Sequence, residues 1–185
     1  MSGIMYWRLL ILLLVILVGP GFCVAQAQSL ESIYTDLGKQ CRTLEKPTAT
    51  SLTLLRRCPG VGGYKLLVSW DDERVDVTVV NAAGAESDLG FSEHVTGHFS
   101  DPGPRAEWRV KRERGKVVPQ ALIVRVNAQE DAESSRKITA YLVVSKITKT
   151  QTCITDRIMP GVRQNEEARR AADQAINKPC LKSSE

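Results

Sequence analysis

Neither sign of charge dominates this sequence. Lys and Arg number 25 against 21 Asp and Glu, a net charge of +4 at pH 7. So small an excess does not point to nucleic acid. Long apolar runs are missing apart from one near the start, which excludes a multi-pass membrane protein. There is no internal repeat and no low-complexity tract. With 43% hydrophobic, 25% charged and 5% aromatic residues, the composition is that of a globular chain. Catalytic signatures are missing too, including any G-x-S-x-G nucleophile elbow. Residues 58–65, Cys-Pro-Gly-Val-Gly-Gly-Tyr-Lys, hold glycines and a lysine. A phosphate loop, however, needs Gly-Lys-Ser/Thr leading into a helix, and Lys65 lies in a strand pattern. The absence of an Asn-x-Ser/Thr sequon fits a bacterial source.

The one long apolar run, Leu9 to Val18, follows Arg8, the only charged side chain before Glu31. As a helix it would reach about 15 Å, half of a hydrocarbon core. Gly19-Pro20-Gly21 breaks it, and Ala25-Gln26-Ala27 supplies the small residues a signal peptidase needs. These features predict a signal peptide over residues 1–27, cleaved after Ala27. Cys23 follows bulky Phe22, a poor context for lipid attachment, and is expected to leave with the leader. Residues 28–185 then form a single domain, with no stable membrane span after cleavage.

Four cysteines remain: Cys41, Cys58, Cys153 and Cys180. In an exported chain they are expected to form two disulfides. Sequence alone allows three pairings. Cys41–Cys58 with Cys153–Cys180 is preferred, because both loops are local and each ties a terminal segment to a neighbouring strand. Each bridge would stabilise by about 3 kcal/mol on chain-entropy grounds. Zinc needs close pairs, and the nearest spacing here is sixteen intervening residues.

Strand patterns fill the middle of the chain. Residues 51–58, 64–70, 74–80, 105–111, 120–126, 137–147 and 153–159 read as strands. Val75, Val77 and Val79 alternate with Arg74, Asp76 and Thr78, the period of a half-buried strand. Ala106, Trp108 and Val110 are expected to point inward. Residues 120–126 are nearly apolar throughout and hence central, and 137–147 reads as the longest strand. Asp71-Asp72-Glu73 reads as a solvated hairpin turn, since the spacing of a calcium loop is missing. Residues 81–104 look like a long loop. Two helices are predicted. One spans part of 28–46, where Leu30, Ile33, Tyr34 and Leu37 recur at helical spacing, with a strand as the alternative reading of that stretch. The other opens with Asn165 as N-cap and carries Ala168, Ala171, Ala172 and Ala175 on one stripe. The expected fold is α+β: about seven antiparallel strands in a twisted sheet or partly open barrel, with the C-terminal helix packed on it.

His94 and His98 are the only histidines, spaced i, i+4. Thr96-Gly97 is a poor helix context, and the glutamate of a zinc-protease motif is missing after His94. They read as surface histidines, and no metal or cofactor is expected. The clearest functional hint is electrostatic. Residues 105–116 hold six basic groups and two acids. Arg105, Arg109 and Lys111 would share an outward face with Glu107, and Arg112, Arg114 and Lys116 follow at a hairpin tip. Such a strip could attract an anionic envelope polymer or phospholipid head groups. The plainer reading is a charged edge strand.

Tyr34-Thr35, Cys41, Cys58-Pro59-Gly60-x-Gly62, Trp108-Arg109, Ala121-x-Ile123-x-Arg125, Leu142-Val143-Val144, Cys153, Asn165-Glu166-x-Ala168-Arg169-x-x-Ala172-Asp173 and Cys180 together resemble a family of small exported bacterial proteins of unassigned function. The resemblance spans nearly all of residues 28–185. It implies export and a shared fold, and no mechanism. Relatives carry an Asp-Ala pair where this chain has Arg157-Ile158, so no role resting on that acid carries over.

The sequence therefore points to a periplasmic or secreted, non-enzymatic binding or structural domain. Its expected contacts are Arg105, Arg109, Lys111, Arg112 and Arg114, and its expected partner an anionic envelope polymer or an extracytoplasmic protein. The alternatives are a hydrolase using carboxylates beside the 81–104 stretch, which would need close acids with raised pKa in a pocket, and an inhibitor of an extracellular enzyme.

Overall fold

A computed structural model describes residues 30–131 and 137–182; the expected signal peptide and Cys23 lie outside the described residues. The strands are β1 (Glu31–Asp36), β2 (Arg42–Glu45), β3 (Leu54–Pro59), β4 (Lys65–Asp71), β5 (Arg74–Val80), β6 (Glu86–Asp88), β7 (Ser100–Glu113), β8 (Lys116–Ala128), β9 (Thr139–Ile147) and β10 (Thr152–Ile158). A one-turn helix α1 (Phe91–His94) precedes β7, and α2 (Gln164–Gln174) follows β10.

The strands form two antiparallel five-stranded sheets, ordered β2-β3-β4-β5-β6 and β1-β7-β8-β9-β10. The expectation of one seven-stranded sheet or partly open barrel is corrected here. After β6 the chain does not continue the meander, because β7 takes β1 as its neighbour, Ile33 facing Trp108 in register. That choice closes one sheet and opens the other.

The sheets pack face to face. Leu66, Val68, Val75, Val77 and Val79 meet Trp108, Val110, Leu122, Val124, Val126 and Val143 in one core. The far side of the second sheet carries Ala121, Ile123, Leu142 and Val144, covered by Ala168, Ala171, Ala172 and Ala175 of the C-terminal helix and its last turn. β8 and β9 are thus buried on both faces, which is why β8 reads as a nearly continuous apolar run. Alanines let the helix lie close on the sheet.

Residues 31–36 are a strand, the alternative reading of that stretch, and not the preferred helix. Ile33, Thr35 and Leu37 alternate toward the core, and pairing with β7 satisfies the backbone. The supposed 81–104 loop contains β6, α1 and the start of β7. β7, with 14 residues, is the longest strand, not the stretch ending at Ile147. β1 flanks it only from Arg105 to Val110, so Arg105 and Arg109 lie on an interior stretch, while Lys111 and Arg112 run past the end of β1 and are paired on one side only. The two-residue turns follow the sequence reading: Asp72-Glu73 and Arg114-Gly115 take positive φ at both positions, as tight hairpins require. α2 begins without the expected cap. Arg163 occupies the cap position with no side-chain bond, and Gln164 anchors the helix start instead, its amide donating to the carbonyls of Ala140 and Ile158.

Both disulfides are formed, Cys41–Cys58 and Cys153–Cys180. They are consistent with an oxidising, extracytoplasmic location. Among the described residues no helix is long and apolar enough to cross a membrane.

Candidate functional site

The basic strip does not act as one surface. Trp108 points inward as expected and is fully buried. The opposite face of β7 is partly covered by α2, and most of its charges have partners. Arg109 is buried and holds Asp173 of α2 with two parallel hydrogen bonds, 2.7 and 2.9 Å. It also donates to Ser32 Oγ. Lys111 pairs with Glu113 at 2.7 Å and Arg112 with Glu31 at 3.1 Å. Arg114 forms the hairpin turn. Arg105 differs. Its guanidinium lies over the Tyr34 ring at 5.6 Å and faces a cleft.

That cleft, about 310 Å³, lies between α2 and the sheet. Three guanidinium groups line it: Arg105 from β7, Arg125 from β8 and Arg169 from α2. Tyr34, Glu107 and Asn165 complete its polar wall. Arg125 donates to Gln164 Oε1 at 3.0 Å and to Asn165 Oδ1 at 3.2 Å. The asparagine expected to cap the helix thus positions an arginine instead. Arg169 grips Glu107 with two bonds of 2.7 and 3.1 Å and reaches Tyr34 Oη at 3.1 Å.

Burial alone would push the Glu107 carboxyl up, but hydrogen bonds from Arg169 and Ser32, with the charges of Arg169 and Arg109, hold it below the ordinary range. The same pairing holds Arg169 firmly protonated. Glu107 is the one carboxylate on the cleft wall against three guanidiniums, and Asp36, opposite Arg105 in the β1–β7 ladder, feels that arginine's charge. Its geometry depends on Gly103. A Cβ there would lie 2.7 Å from Arg125 Cβ, so only a hydrogen fits where β7 bends past that side chain.

The other sequence candidates take structural places. Asp72 pairs with Arg74 at 2.6 Å within its turn. His94 ends α1, while His98 lies beyond it. No cluster of three His, Cys, Asp or Glu arranged for a metal occurs among the described residues. Residues 58–65 join β3 to β4 through a tight turn.

Beside the former loop, Asp76 accepts hydrogen bonds from the Val77 and Phe91 amides at 2.7 and 3.1 Å. Its carboxyl is pushed up to about 6, chiefly by burial and further by the adjacent Asp88, although both amides pull it down. Neither Asp76 nor Asp88 lines the cleft described above. A carboxyl whose folded pKa is raised favours folding while protonated. That contribution is present below about pH 4, the unfolded value, and is lost as pH rises to about 6. Wild type should therefore lose more melting temperature between pH 4 and 7 than Asp76→Asn. Superimposable Tm profiles would show that Asp76 does not titrate in this window.

Arg125, Arg169, Tyr34 and Asn165 were not singled out from the sequence as contacts. The available signal was Arg125 itself, a lone charge in a strand apolar on both sides. No protein-family model, curated protein or solved structure matches the chain.

Proposed function

We propose that this chain is an exported binding domain that takes a small anionic group in the Arg105–Arg125–Arg169 cleft. The observation that carries the reading is the convergence of three guanidinium groups from three elements on one concave site holding a single carboxylate. Guanidinium forks bind carboxylate and phosphate through charge-assisted hydrogen bonds. Arg105 is held by stacking on Tyr34 and by the charge of Asp36 rather than by a hydrogen-bonded ion pair, which leaves its N–H donors for a ligand. Binding fits the site better than catalysis, because both oxygens of Glu107 are engaged by Arg169. A general base needs a reachable oxygen and a pKa near the working pH. Export is supported by the Arg8-led apolar run, the Ala25-Gln26-Ala27 site and the two disulfides. The resemblance to small exported bacterial proteins agrees with it, and the reading places the protein in the periplasm or outside the cell.

Calorimetric titration with inorganic phosphate at low salt tests the cleft. Arg105→Ala should weaken phosphate by about tenfold or more, the worth of one charge-assisted contact. It should leave the melting temperature nearly unchanged. Equal affinity in the two proteins, or no binding to wild type, would overturn the assignment.

A further inference from the structure

Charge in the arginine cleft is nearly matched, with one exception. Arg169 is closed on Glu107 by two hydrogen bonds. Arg105 lies opposite Asp36 in the β1–β7 ladder, and the two charges act on each other. Arg109 and Asp173, alongside, cancel as a pair. Arg125 is different. Both partners of its fork, Gln164 Oε1 and Asn165 Oδ1, are neutral amides. They orient the guanidinium without cancelling it. Three guanidiniums against the two carboxylates of Glu107 and Asp36 leave one positive charge, which a monoanion balances.

The open groups are donors. Tyr34 Oη accepts from Arg169, so its own proton is left to give. The Nε–H of Arg125 and the N–H groups of Arg105 add to it. Between these polar walls the floor is apolar: Ile123 and Leu142 of the sheet meet Ala168 of the helix, with Pro104 at the rim. A bare inorganic anion would leave that floor wet, whereas a ligand with an apolar body covers it. At about 310 Å³ the cleft is small for a ligand pocket, so the body is short.

Resting on the anion reading above, we infer that the ligand is a carboxylate borne on a short apolar body. Its two oxygens lie among Arg105, Arg125 and Tyr34, and its body lies on Ile123, Leu142 and Ala168. Such a group occurs in a small free acid and in the last residue of a peptide, and the experiment separates the two sources.

Calorimetry at neutral pH with acetate, isovalerate, isoamylamine, N-acetylleucine and an acetylated tripeptide ending in leucine tests it. Isovalerate should bind about tenfold or more tighter than acetate, because it buries three further carbons. It should also bind tighter than inorganic phosphate. Isoamylamine, the same body without the anion, should not bind. Arg125→Gln should weaken acetate and isovalerate alike, by about tenfold. Arg105→Ala, at an exposed position, should do the same without loosening the start of α2. Ile123→Val trims one methyl from the floor and keeps it apolar. It should shrink the gain of isovalerate and leave acetate unchanged. Binding of the tripeptide tighter than isovalerate names a peptide end as the source, and the reverse order names a free acid.

If phosphate binds and Arg105→Ala weakens it, but isovalerate gains nothing over acetate, the inference fails and the cleft reading stands. Phosphate binding tighter than isovalerate has the same meaning, as does equal isovalerate affinity in wild type and both arginine variants. If neither phosphate nor any carboxylate binds, both readings fall.

Discussion

Arg109→Glu is expected to unfold the domain. On sequence grounds Arg109 belongs to an exposed basic strip, where charge reversal should cost under about 0.5 kcal/mol. In the structure its side chain is only 9% exposed. It grips Asp173, donates to Ser32 and lies 3.9 Å from Glu107. A glutamate would put a third carboxylate beside Glu107 and Asp173, at a position that is itself nearly buried. Losing a fully buried partner costs about 3–5 kcal/mol; the exposure of Asp173 lowers that figure here, and the new repulsion among three carboxylates adds to it. Arg109→Met, which keeps the bulk of the stem, should cost only about 2 kcal/mol, because Asp173 is 39% exposed and can be hydrated. Urea denaturation followed by circular dichroism measures both. A loss below about 1 kcal/mol for Arg109→Glu would mean that the Arg109–Asp173 contact does not hold the helix to the sheet.

Trp108→Ala should cost about 3–5 kcal/mol, the range for a large buried ring. The indole is completely buried between the sheets, and Tyr64 meets it edge-on at 6.4 Å between ring centres. Its N–H donates to Thr35 Oγ1 at 3.0 Å, and that hydroxyl donates onward to the carbonyl of Pro59 at 2.8 Å. The ring thus links β7, β1 and β3. The Cys-Pro-Gly turn accommodates it closely: a Cβ on Gly60 would lie 2.9 Å from Trp108 Cζ2. Trp108→Phe keeps most of the apolar bulk and loses the N–H, so its cost should be clearly smaller. Equal urea midpoints for wild type and Trp108→Ala would contradict this account of the core.

Features set by local spacing could be read from the sequence. The alternation of 74–80, the apolar run of β8, the hairpin at Asp72-Glu73 and the alanine stripe of α2 each depend on neighbours a few residues away. β1 could not be read so. Leu30, Ile33, Tyr34 and Leu37 satisfy a helical period, while the strand period runs through Thr35. Burying Thr35 makes sense only once Trp108 and Pro59 are beside it, 73 and 24 residues away. β6 and α1 have three and four residues, too few to show any period. The division into two sheets turned on β7 choosing β1. The candidate cleft was hidden for the same reason. Arg105 stood out as one charge among six, but Arg125 and Arg169 find their partners 39 to 135 residues away.

The two disulfides occupy equivalent places in the architecture. Cys41 and Cys58 fasten the start of β2, the outermost strand of one sheet, to β3. Cys153 lies in β10, an outermost strand of the other sheet, and Cys180 brings the C-terminal segment alongside it, where the Leu181 amide donates to the Ile154 carbonyl at 2.7 Å. Each cross-link therefore guards a rim of unpaired backbone that would otherwise be open to a second molecule. Solubility is thereby coupled to the redox state of the surroundings: in a reducing compartment each outermost strand would lose a fastening, and the chain would become more prone to self-association.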